Sequence, residues 1–241
     1  MLDDASLARD LATRAGQLLV TLRQSSSATG KALGAAGDEQ ANAFLMRELE
    51  TWRPDDAILS EETQSTADRL LNHRCWIIDP LDGTREYSEG RSDWAVHVGL
   101  AIDGVPAVGA VALPDLGITL DSGSPPPVPV QASALRMLVS RTRPAREALH
   151  VATQLSAELV PMGSAGAKAM AVLLGEAEIY LHSGGQYEWD NCAPAAVALA
   201  AGFHVSRLDG SEMTYNKPSP ELPDLLICRR ELASEILGHC R

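Results

Sequence analysis

The sequence predicts an α/β (α+β) chain in two lobes, the first with helices covering an antiparallel sheet and the second alternating strands and helices. Apolar residues recur at helical spacing near the start of the chain. The stretch 93–113 then alternates large and small side chains around an Asp-Gly pair, as a β-hairpin does. After a proline-rich segment, short apolar runs and helical patterns take turns to the end.

Two amphipathic helices are expected to open the chain. The apolar positions of the first are Leu7, Leu11, Ala15, Leu18, Leu19 and Leu22. Those of the second are Ala41, Phe44, Leu45, Leu49 and Trp52. The letters GDEQ precede the second set, so one interpretation of Asp38 is a helix start. The brief runs AILS and CWIID that follow predict strands, because each is too short for a helix.

The hairpin and the prolines complete the first lobe. In the hairpin Trp94, Val96 and Val98 share one face, and His97 lies on the small-residue face, where we expect a structural role. Consecutive prolines in DSGSPPPVPV (121–130) fit neither a helix nor a strand ladder. We therefore place the boundary there, with an N-terminal lobe at 1–121 and a C-terminal lobe at 131–241.

The second lobe is predicted to alternate strands and helices, as α/β folds do. The predicted order is strand 135–140, helix 145–154, a short strand ending at 163, helix 165–174, strand 178–182, helix 189–201, the strand DLLIC and a closing helix.

Composition limits the classes of partner. A formal net charge of −12 repels nucleic-acid polymers and acidic membranes, so we expect a small ligand or a cation instead. No apolar run approaches the roughly 20 residues of a membrane-spanning helix, and the acidic start is unlike a signal peptide. A cytoplasmic location without membrane contact is expected. The four cysteines include no CxxC pair, which indicates reduced thiols.

The segment CWIIDPLDGT concentrates acidic groups at the end of an apolar strand. Asp79 and Asp82 flank Pro80, which restricts the backbone of Asp79, and Gly83 permits a tight turn. Two carboxylates this close need a counter-ion. Hard oxygen ligands without histidine or thiolate suit Mg²⁺ or Mn²⁺, and metal pairs commonly assist attack on phosphate.

Further acidic residues stand in comparable places. Glu61 and Glu62 follow the strand AILS, and Asp190 follows Trp189 at a predicted helix start. Gly83 and Thr84 offer backbone N–H groups at another helix start, where a phosphate could bind. Taken singly, each acidic group also fits a simple turn, a solvated pair or a residue that favours a helix dipole. Together they predict hydrolysis of a phosphate ester. The spacing of Asp79 and Asp82 fits neither an EF-hand nor an aspartyl-phosphate phosphatase.

These residues resemble the inositol monophosphatase superfamily, the lithium-sensitive, magnesium-dependent phosphatases. The resemblance rests on Glu61-Glu62, then WIIDPLDGT at 76–84, then EWDNCAPAAVALAAG at 188–202, in the family's order and over nearly the whole chain. It implies a layered α/β/α/β/α sandwich like that of inositol monophosphatase and fructose-1,6-bisphosphatase. It also implies two or three Mg²⁺ ions, which Mn²⁺ could replace.

The resemblance further implies roles for individual residues. The implied metal ligands are Glu61, Asp79, the carbonyl of Leu81, Asp82 and Asp190. Thr84 and Asp38 would together polarise the attacking water, with Glu61 as a third catalytic residue, while Glu62 would lie behind the ligands. The implied substrate-binding residues are Glu61, Leu81, Asp82, Gly83, Thr84, Arg141, Ser164, Lys168 and Asp190. One departure is Gly37, where family members often carry threonine or another polar residue.

The expected substrate is a nucleotide bisphosphate. Ser183 stands where inositol monophosphatases carry a ring-binding glutamate, and WDNCAP and LRMLVSRTR look like 3′(2′),5′-bisphosphate nucleotidases of sulfate assimilation. Such enzymes remove the 3′-phosphate of 3′-phosphoadenosine 5′-phosphate, and 3′-phosphoadenylyl sulfate is a further expected substrate. Arg141 and Lys168 could meet the second phosphate, whereas Arg143 is more simply a solvated cation.

Three alternatives stay open at the level of sequence. One is an inositol-1-phosphatase, a second is a sugar phosphatase of the fructose-1,6-bisphosphatase type, and a third is a non-catalytic protein that binds metal or nucleotide. Tyr187 and Trp189 could stack on adenine, although core packing is the commoner use of aromatic residues. A homodimer is the expected assembly, since two-fold dimers are the commonest closed form.

Overall fold

The computed structural model describes residues 2–64 and 66–240, which form seven α-helices and ten β-strands joined by loops and short 3₁₀ turns. The helices are α1 Asp4–Ser25, α2 Gly30–Trp52, α3 Thr84–Ser88, α4 Arg146–Leu155, α5 Ala165–Leu173, α6 Glu188–Ala200 and α7 Ala233–His239. The strands are β1 Ala57–Ser60, β2 Arg74–Asp82, β3 Ala95–Ile102, β4 Val105–Leu113, β5 Ile118–Asp121, β6 Arg136–Ser140, β7 Glu158–Met162, β8 Ile179–Tyr187, β9 His204–Ser206 and β10 Glu221–Cys228.

The strands form two five-stranded sheets. In the first sheet the order is β1-β2-β3-β4-β5, with β1 parallel to β2 and the remaining neighbours antiparallel. In the second sheet the order is β7-β6-β8-β10-β9, with parallel pairs around β6 and antiparallel pairs around β10. The segment 122–135, which contains the prolines, carries no helix or strand and separates the two sheets along the chain.

Helices cover both sheets in a five-layer arrangement. Helices α1 and α2 pack on the outer face of the first sheet, α5 and α6 contact strands of both sheets, and α4 packs on the second sheet and against α7. The layers are therefore α/β/α/β/α, as expected for the sandwich. Hydrophobic clusters lie between α1, α2 and the first sheet, around α5 and α6, and beneath α4 and α7.

Two glycines set the position of α6 in the central layer. A Cβ on Gly99 would lie 2.9 Å from the backbone N of Ala193, and one on Gly109 would lie 2.3 Å from its carbonyl O. Because both positions lack a side chain, the helix backbone rests directly on β3 and β4. The N-terminus of α6, which carries Asp190, is thereby brought close to the end of β2.

The structure differs from the sequence prediction in three places. Helix α2 begins at Gly30, so Asp38 lies in its middle and the helix-start interpretation of GDEQ is wrong. Strands β5 and β9 were not predicted, because each is short and occupies a sheet edge. Strand β2 continues through Asp79 to Asp82, with a register irregularity between them.

The four cysteines are unpaired, as predicted. Among the described residues, no helix combines the length and hydropathy that crossing a membrane requires.

Candidate active site

Three carboxylates converge where β2 ends and α6 begins. One oxygen from each of Asp79, Asp82 and Asp190 lies within 4.8 Å of the others. Asp79 and Asp82 are buried, and Asp190 is partly buried. Residues more than a hundred positions apart in the chain therefore meet at one point, as the sequence predicted. We call Asp79, Asp82 and Asp190 the acidic triad.

The turn after β2 holds the first two carboxylates in place. Asp79 Oδ1 accepts a hydrogen bond from the backbone N of Leu81 at 3.1 Å. Gly83 then adopts a φ of 88°, and a Cβ there would approach Ser164 Cβ at 3.2 Å and the carbonyl of Asp93 at 3.3 Å. Only glycine combines that backbone conformation with that closeness. The turn is thus fixed by local geometry as well as by the sheet.

Asp82 is the carboxylate with the most hydrogen-bond donors around it. Its oxygens accept bonds from the hydroxyl of Ser164, from the backbone N of Ala165 at 3.1 Å and from the backbone N of Gly166 at 2.6 Å. These groups belong to the first turn of α5 and its N-cap, where the helix dipole favours an anion. Ser164 therefore lies against Asp82, and its role as a substrate-binding residue stays a prediction.

His97 also contacts Asp82, which sequence reasoning missed. The fully buried ring places Nε2 3.1 Å from Asp82 Oδ2, while Nδ1 lies 2.9 Å from the carbonyl O of Trp189. One side chain thus links the end of β2 to the N-terminus of α6. A lone histidine facing small residues gave no sign of this, because both partners are distant in the sequence.

Asp190 has two roles in the geometry. Its Oδ2 accepts a hydrogen bond from the backbone N of Tyr187 at 2.6 Å, which satisfies a free N–H at the start of α6. The simple helix-terminus interpretation of Asp190 is therefore correct, and the residue belongs to the acidic triad as well.

Burial and mutual repulsion both shift the pKa values of the acidic groups. Burial, together with the charges of Glu61 and the rest of the triad, raises the pKa of Asp79 well above its ordinary value. Burial and the charge of Asp82 raise the pKa of Asp190 to about 7. Burial alone would raise the pKa of Asp82, but His97 and Ser164 outweigh it and hold that pKa at about 2.

Glu61 lies beside the triad, outside the group of three. It is exposed as a residue, yet its carboxyl group contacts Asp79, and loss of water with the charges of Asp190 and Asp82 raises its pKa to about 7. The carbonyl of Leu81 accepts a 3.1 Å hydrogen bond from Thr84 Oγ1. For Glu61 and Leu81, the role of metal ligand stays a prediction.

The donor set fits a hard divalent cation. Oxygen atoms from three carboxylates lie close together, and the raised pKa values of two of them show negative charge that the protein does not neutralise. Mg²⁺ and Mn²⁺ prefer such oxygen ligands. Asp79, Asp82 and Asp190, with Glu61 beside them, are the residues that would hold the ion.

We expect the metal-free protein to lose stability as pH rises from 5 to 8. Asp190 and Glu61 bind protons more tightly when folded, with pKa values of about 7, than in the unfolded chain, where carboxyl pKa values are near 4. The folded state therefore holds more protons across that range, and the free energy of unfolding falls as pH increases. Circular dichroism melts in EDTA should show a Tm that is lower at pH 8 than at pH 5 by roughly 5 °C.

Two comparisons give that experiment its control. Saturating Mg²⁺ should restore most of the lost Tm at pH 8, because the cation replaces the protons. Asp190→Asn should flatten the pH dependence in EDTA, since that variant lacks one of the titrating groups. A Tm in EDTA that stays constant or rises between pH 5 and 8 would contradict the charge distribution described above.

Asp38 and Thr84 form the second part of the site. Thr84 Oγ1 lies 3.2 Å from Asp38 Oδ1 and can donate to it. Burial, followed by the charge of Glu62, raises the pKa of Asp38 to about 6. The pairing inferred from the resemblance is thus present in the structure, although the catalytic role of each residue stays a prediction.

Glycines on α2 make this pairing possible. A Cβ on Gly34 would lie 2.7 Å from Thr84 Cγ2, and one on Gly37 would lie 2.9 Å from a methyl group of Leu81. Helix α2 therefore lies unusually close to the turn after β2. The departure at Gly37 has a physical reason: a threonine side chain would have room there only if the side chains of Leu81, Leu19 and Tyr87 shifted.

The basic residues lie in a cavity of about 390 Å³ beside Ser164. Arg141 Nη2 donates to Glu86 at 2.7 Å and to Glu89 at 2.9 Å. Lys168 is buried, and its Nζ donates to the carbonyls of Ser164 and Gly163. Arg143 lines the same cavity, and no ion pair of its side chain is found among residues 2–64 and 66–240. The predicted phosphate contacts thus surround one polar cavity, although two of the three cations already have partners.

Known proteins resemble this chain in sequence. The model of the inositol monophosphatase family matches residues 4–239. A protein of Mycobacterium leprae (strain TN) named 3′-phosphoadenosine 5′-phosphate phosphatase is 48% identical, over 100% of this chain and 94% of its own length. A protein of Mycobacterium bovis with the same name is 52% identical over 86% of this chain and 81% of its own length. The 3′(2′),5′-bisphosphate nucleotidase CysQ of Escherichia coli K12 is 29% identical, covering 75% of this chain and 78% of its own.

Solved structures share the fold. CysQ from Bacteroides thetaiotaomicron superposes with a TM-score of 0.81 at 22% identity, covering 94% of this chain and 97% of its own. Inositol monophosphatase from Anabaena gives a TM-score of 0.78 at 22% identity, covering 98% and 94%. At such identity the likeness concerns the fold alone. The family model spans nearly the whole chain and the acidic motifs meet in space, so the chain belongs to the inositol monophosphatase family.

Proposed function

We propose that this chain is a metal-dependent phosphomonoesterase that removes the 3′-phosphate from 3′-phosphoadenosine 5′-phosphate. The observation that carries the proposal is the acidic triad beside the Asp38–Thr84 pair, in a chain that is 48% identical over its whole length to a phosphatase named for this substrate. A cation site and a group that can orient water are the two requirements of such hydrolysis.

Each group of site residues has its own role in the proposed hydrolysis. When bound at the triad, Mg²⁺ would supply positive charge that lowers the pKa of water and stabilises the leaving 3′-oxygen. Asp38, ionised at neutral pH because its pKa is about 6, accepts a hydrogen bond from the Thr84 hydroxyl, which keeps its proton. The Thr84 oxygen is then free to accept a hydrogen bond from the attacking water and to aim it at phosphorus. The N–H groups of Gly83 and Thr84 would receive the phosphate oxygens.

The polar cavity suits the second phosphate of this substrate. Ser164 borders both the cavity and Asp82, so a ligand could extend from the triad to Arg141 and Lys168. Arginine binds phosphate oxygens through two parallel hydrogen bonds. Arg143, which has no carboxylate partner in the described chain, is available for such a contact without loss of an existing ion pair.

A sugar or inositol phosphatase is the second candidate within the family. Ser183, at the position where the resemblance leads one to expect a ring-binding glutamate, donates a hydrogen bond to Glu147. Residue 183 itself therefore offers a hydroxyl, already bonded to Glu147, in place of a carboxylate for ring hydroxyls. This disfavours an inositol phosphate as the main substrate and leaves the nucleotide as our choice.

The deciding experiment measures phosphate release from a panel of substrates. The panel contains 3′-phosphoadenosine 5′-phosphate, adenosine 3′-phosphate, inositol 1-phosphate and fructose 1,6-bisphosphate, each with Mg²⁺, with EDTA and with added Li⁺. We expect kcat/KM for the bisphosphate nucleotide to exceed that for each other substrate by about a hundredfold, because the two monophosphates lack a group for the polar cavity and fructose 1,6-bisphosphate carries no purine and holds its phosphates at a different spacing. Equal values across the panel would refute the assignment, and no release in Mg²⁺ would favour a non-catalytic binder.

A further inference from the structure

An aromatic pair stands beside the acidic triad and has no part in the proposed hydrolysis. The rings of Tyr187 and Trp189 are stacked, with centroids 4.8 Å apart and planes 8° from parallel. Trp189 is partly buried and packs against the central core, while Tyr187 remains 37% exposed. The pair therefore has a fixed inner ring and an accessible outer one.

The position of Tyr187 relative to the triad is set by the backbone. Its N–H donates to Asp190 Oδ2 at 2.6 Å, and the two residues are three positions apart in the chain. Three residues span at most about 11 Å, so the tyrosine ring stands within a nucleotide's length of the triad. The carbonyl of Trp189 is held by His97, which also contacts Asp82. The aromatic pair is thus tied to the same framework as the acidic groups.

Open space lies next to Tyr187. Tyr187 borders a cavity of about 460 Å³, whose walls include Gly184, Gly185, Leu222 and Pro223. The two glycines have φ values of 75° and 69°, and a Cβ added to either would meet no atom within 4 Å. Partly apolar walls next to an aromatic residue match the chemistry of a heteroaromatic base.

We infer that the Tyr187–Trp189 pair is the platform on which the purine base of the substrate stacks, with the base lying in the cavity beside Gly184 and Gly185. This inference rests on the proposed nucleotide phosphatase function. Because Trp189 already orders the tyrosine, little side-chain freedom is lost when the base binds. Stacking a base on an aromatic side chain contributes about 1–3 kcal/mol, which corresponds to about 5- to 150-fold in affinity.

The test compares a nucleotide with an analogue that lacks only the base. The substrates are 3′-phosphoadenosine 5′-phosphate and 1,2-dideoxyribose 3,5-bisphosphate, which keeps both phosphates and the sugar ring. For Tyr187→Ala we expect KM for the nucleotide to rise about 10- to 100-fold, with kcat and the values for the baseless analogue unchanged. Tyr187→Phe, which keeps the ring, should behave like the parent protein. Trp52→Ala removes another exposed aromatic residue, at the end of α2, and serves as a matched control.

A binding measurement keeps this inference separate from the catalytic proposal. Calorimetry should show that Tyr187→Ala weakens binding of adenosine 5′-phosphate but leaves binding of ribose 5-phosphate unchanged. That result would support the platform even if no phosphate were released from the nucleotide. If Tyr187→Ala weakened binding of adenosine 5′-phosphate and ribose 5-phosphate equally, Tyr187 would instead have a role in supporting α6. If it weakened binding of neither, the base would not bind in this cavity.

Discussion

Asp82→Asn is expected to lower kcat by about a thousandfold or more, which corresponds to roughly 4 kcal/mol of transition-state stabilisation. Asp82 is the triad member held most firmly ionised, with a pKa of about 2. It therefore offers a negative charge to a cation at neutral pH. An amide in its place offers a neutral oxygen, which binds Mg²⁺ weakly. In Asp82→Asn, the rate of phosphate release and the Mg²⁺ affinity, which is measured by calorimetry, should both fall.

This experiment needs a check on the fold, because Asp82 also organises the start of α5. It accepts hydrogen bonds from Ser164, Ala165 and Gly166, and an amide can reproduce only some of them. The variant should be used only where its circular dichroism matches that of the parent. Asp68→Asn, at an exposed aspartate in the 3₁₀ turn between β1 and β2, is the matched control and should keep full activity. A folded Asp82→Asn protein with normal activity would show that the triad is not the catalytic centre.

Local sequence patterns predicted most elements of the fold. The run 75–78 is apolar without alternation and the hairpin alternates, so burial of both faces of the first and of one face of the second could be deduced without knowledge of their partners. The convergence of Asp79, Asp82 and Asp190 could be predicted for a different reason. Their motifs matched a known family in order and spacing, and the structure brings the three together.

Features that depend on distant partners could not be predicted. The letters GKALGAAG look unfavourable for a helix, since each glycine costs about 1 kcal/mol relative to alanine. They are helical nevertheless, because Gly34 and Gly37 let α2 pack closely on Thr84 and Leu81. Tertiary packing thus outweighs intrinsic propensity at this point.

The electrostatics of the site were also hidden in the sequence. Asp79 and Asp82 look equivalent in DPLD and burial alone would raise the pKa of both, yet the pKa of Asp79 is raised and that of Asp82 is lowered. The difference arises from His97 and the first turn of α5, which surround Asp82 alone. Likewise, the pairing of Arg141 with Glu86 and Glu89 joins residues more than 50 positions apart, for which no local pattern exists.

Thr84→Val should lower kcat about a hundredfold while leaving Mg²⁺ affinity nearly unchanged, because it removes only the hydroxyl that orients water. Valine keeps the methyl group that packs against Gly34, so the approach of α2 is preserved. Thr84→Ser keeps the hydroxyl and should retain most of the activity. Asp38→Asn should lower kcat to a similar degree, since a neutral amide is a weaker acceptor than a carboxylate for the hydrogen bond from Thr84. The measurements are kcat at saturating Mg²⁺ and metal affinity by calorimetry.

The double variant distinguishes a functional pair from two separate contributions. If Asp38 acts only through Thr84, then Asp38→Asn should have little further effect once the hydroxyl is gone, and the two losses should not multiply. The pH profile gives an independent readout. With Mg²⁺ saturating, kcat of the parent should fall below pH 6, where Asp38 with its pKa of about 6 becomes protonated. Asp38→Asn should lose that acidic limb. Losses that multiply, or an unchanged acidic limb, would mean that some other group positions the attacking water.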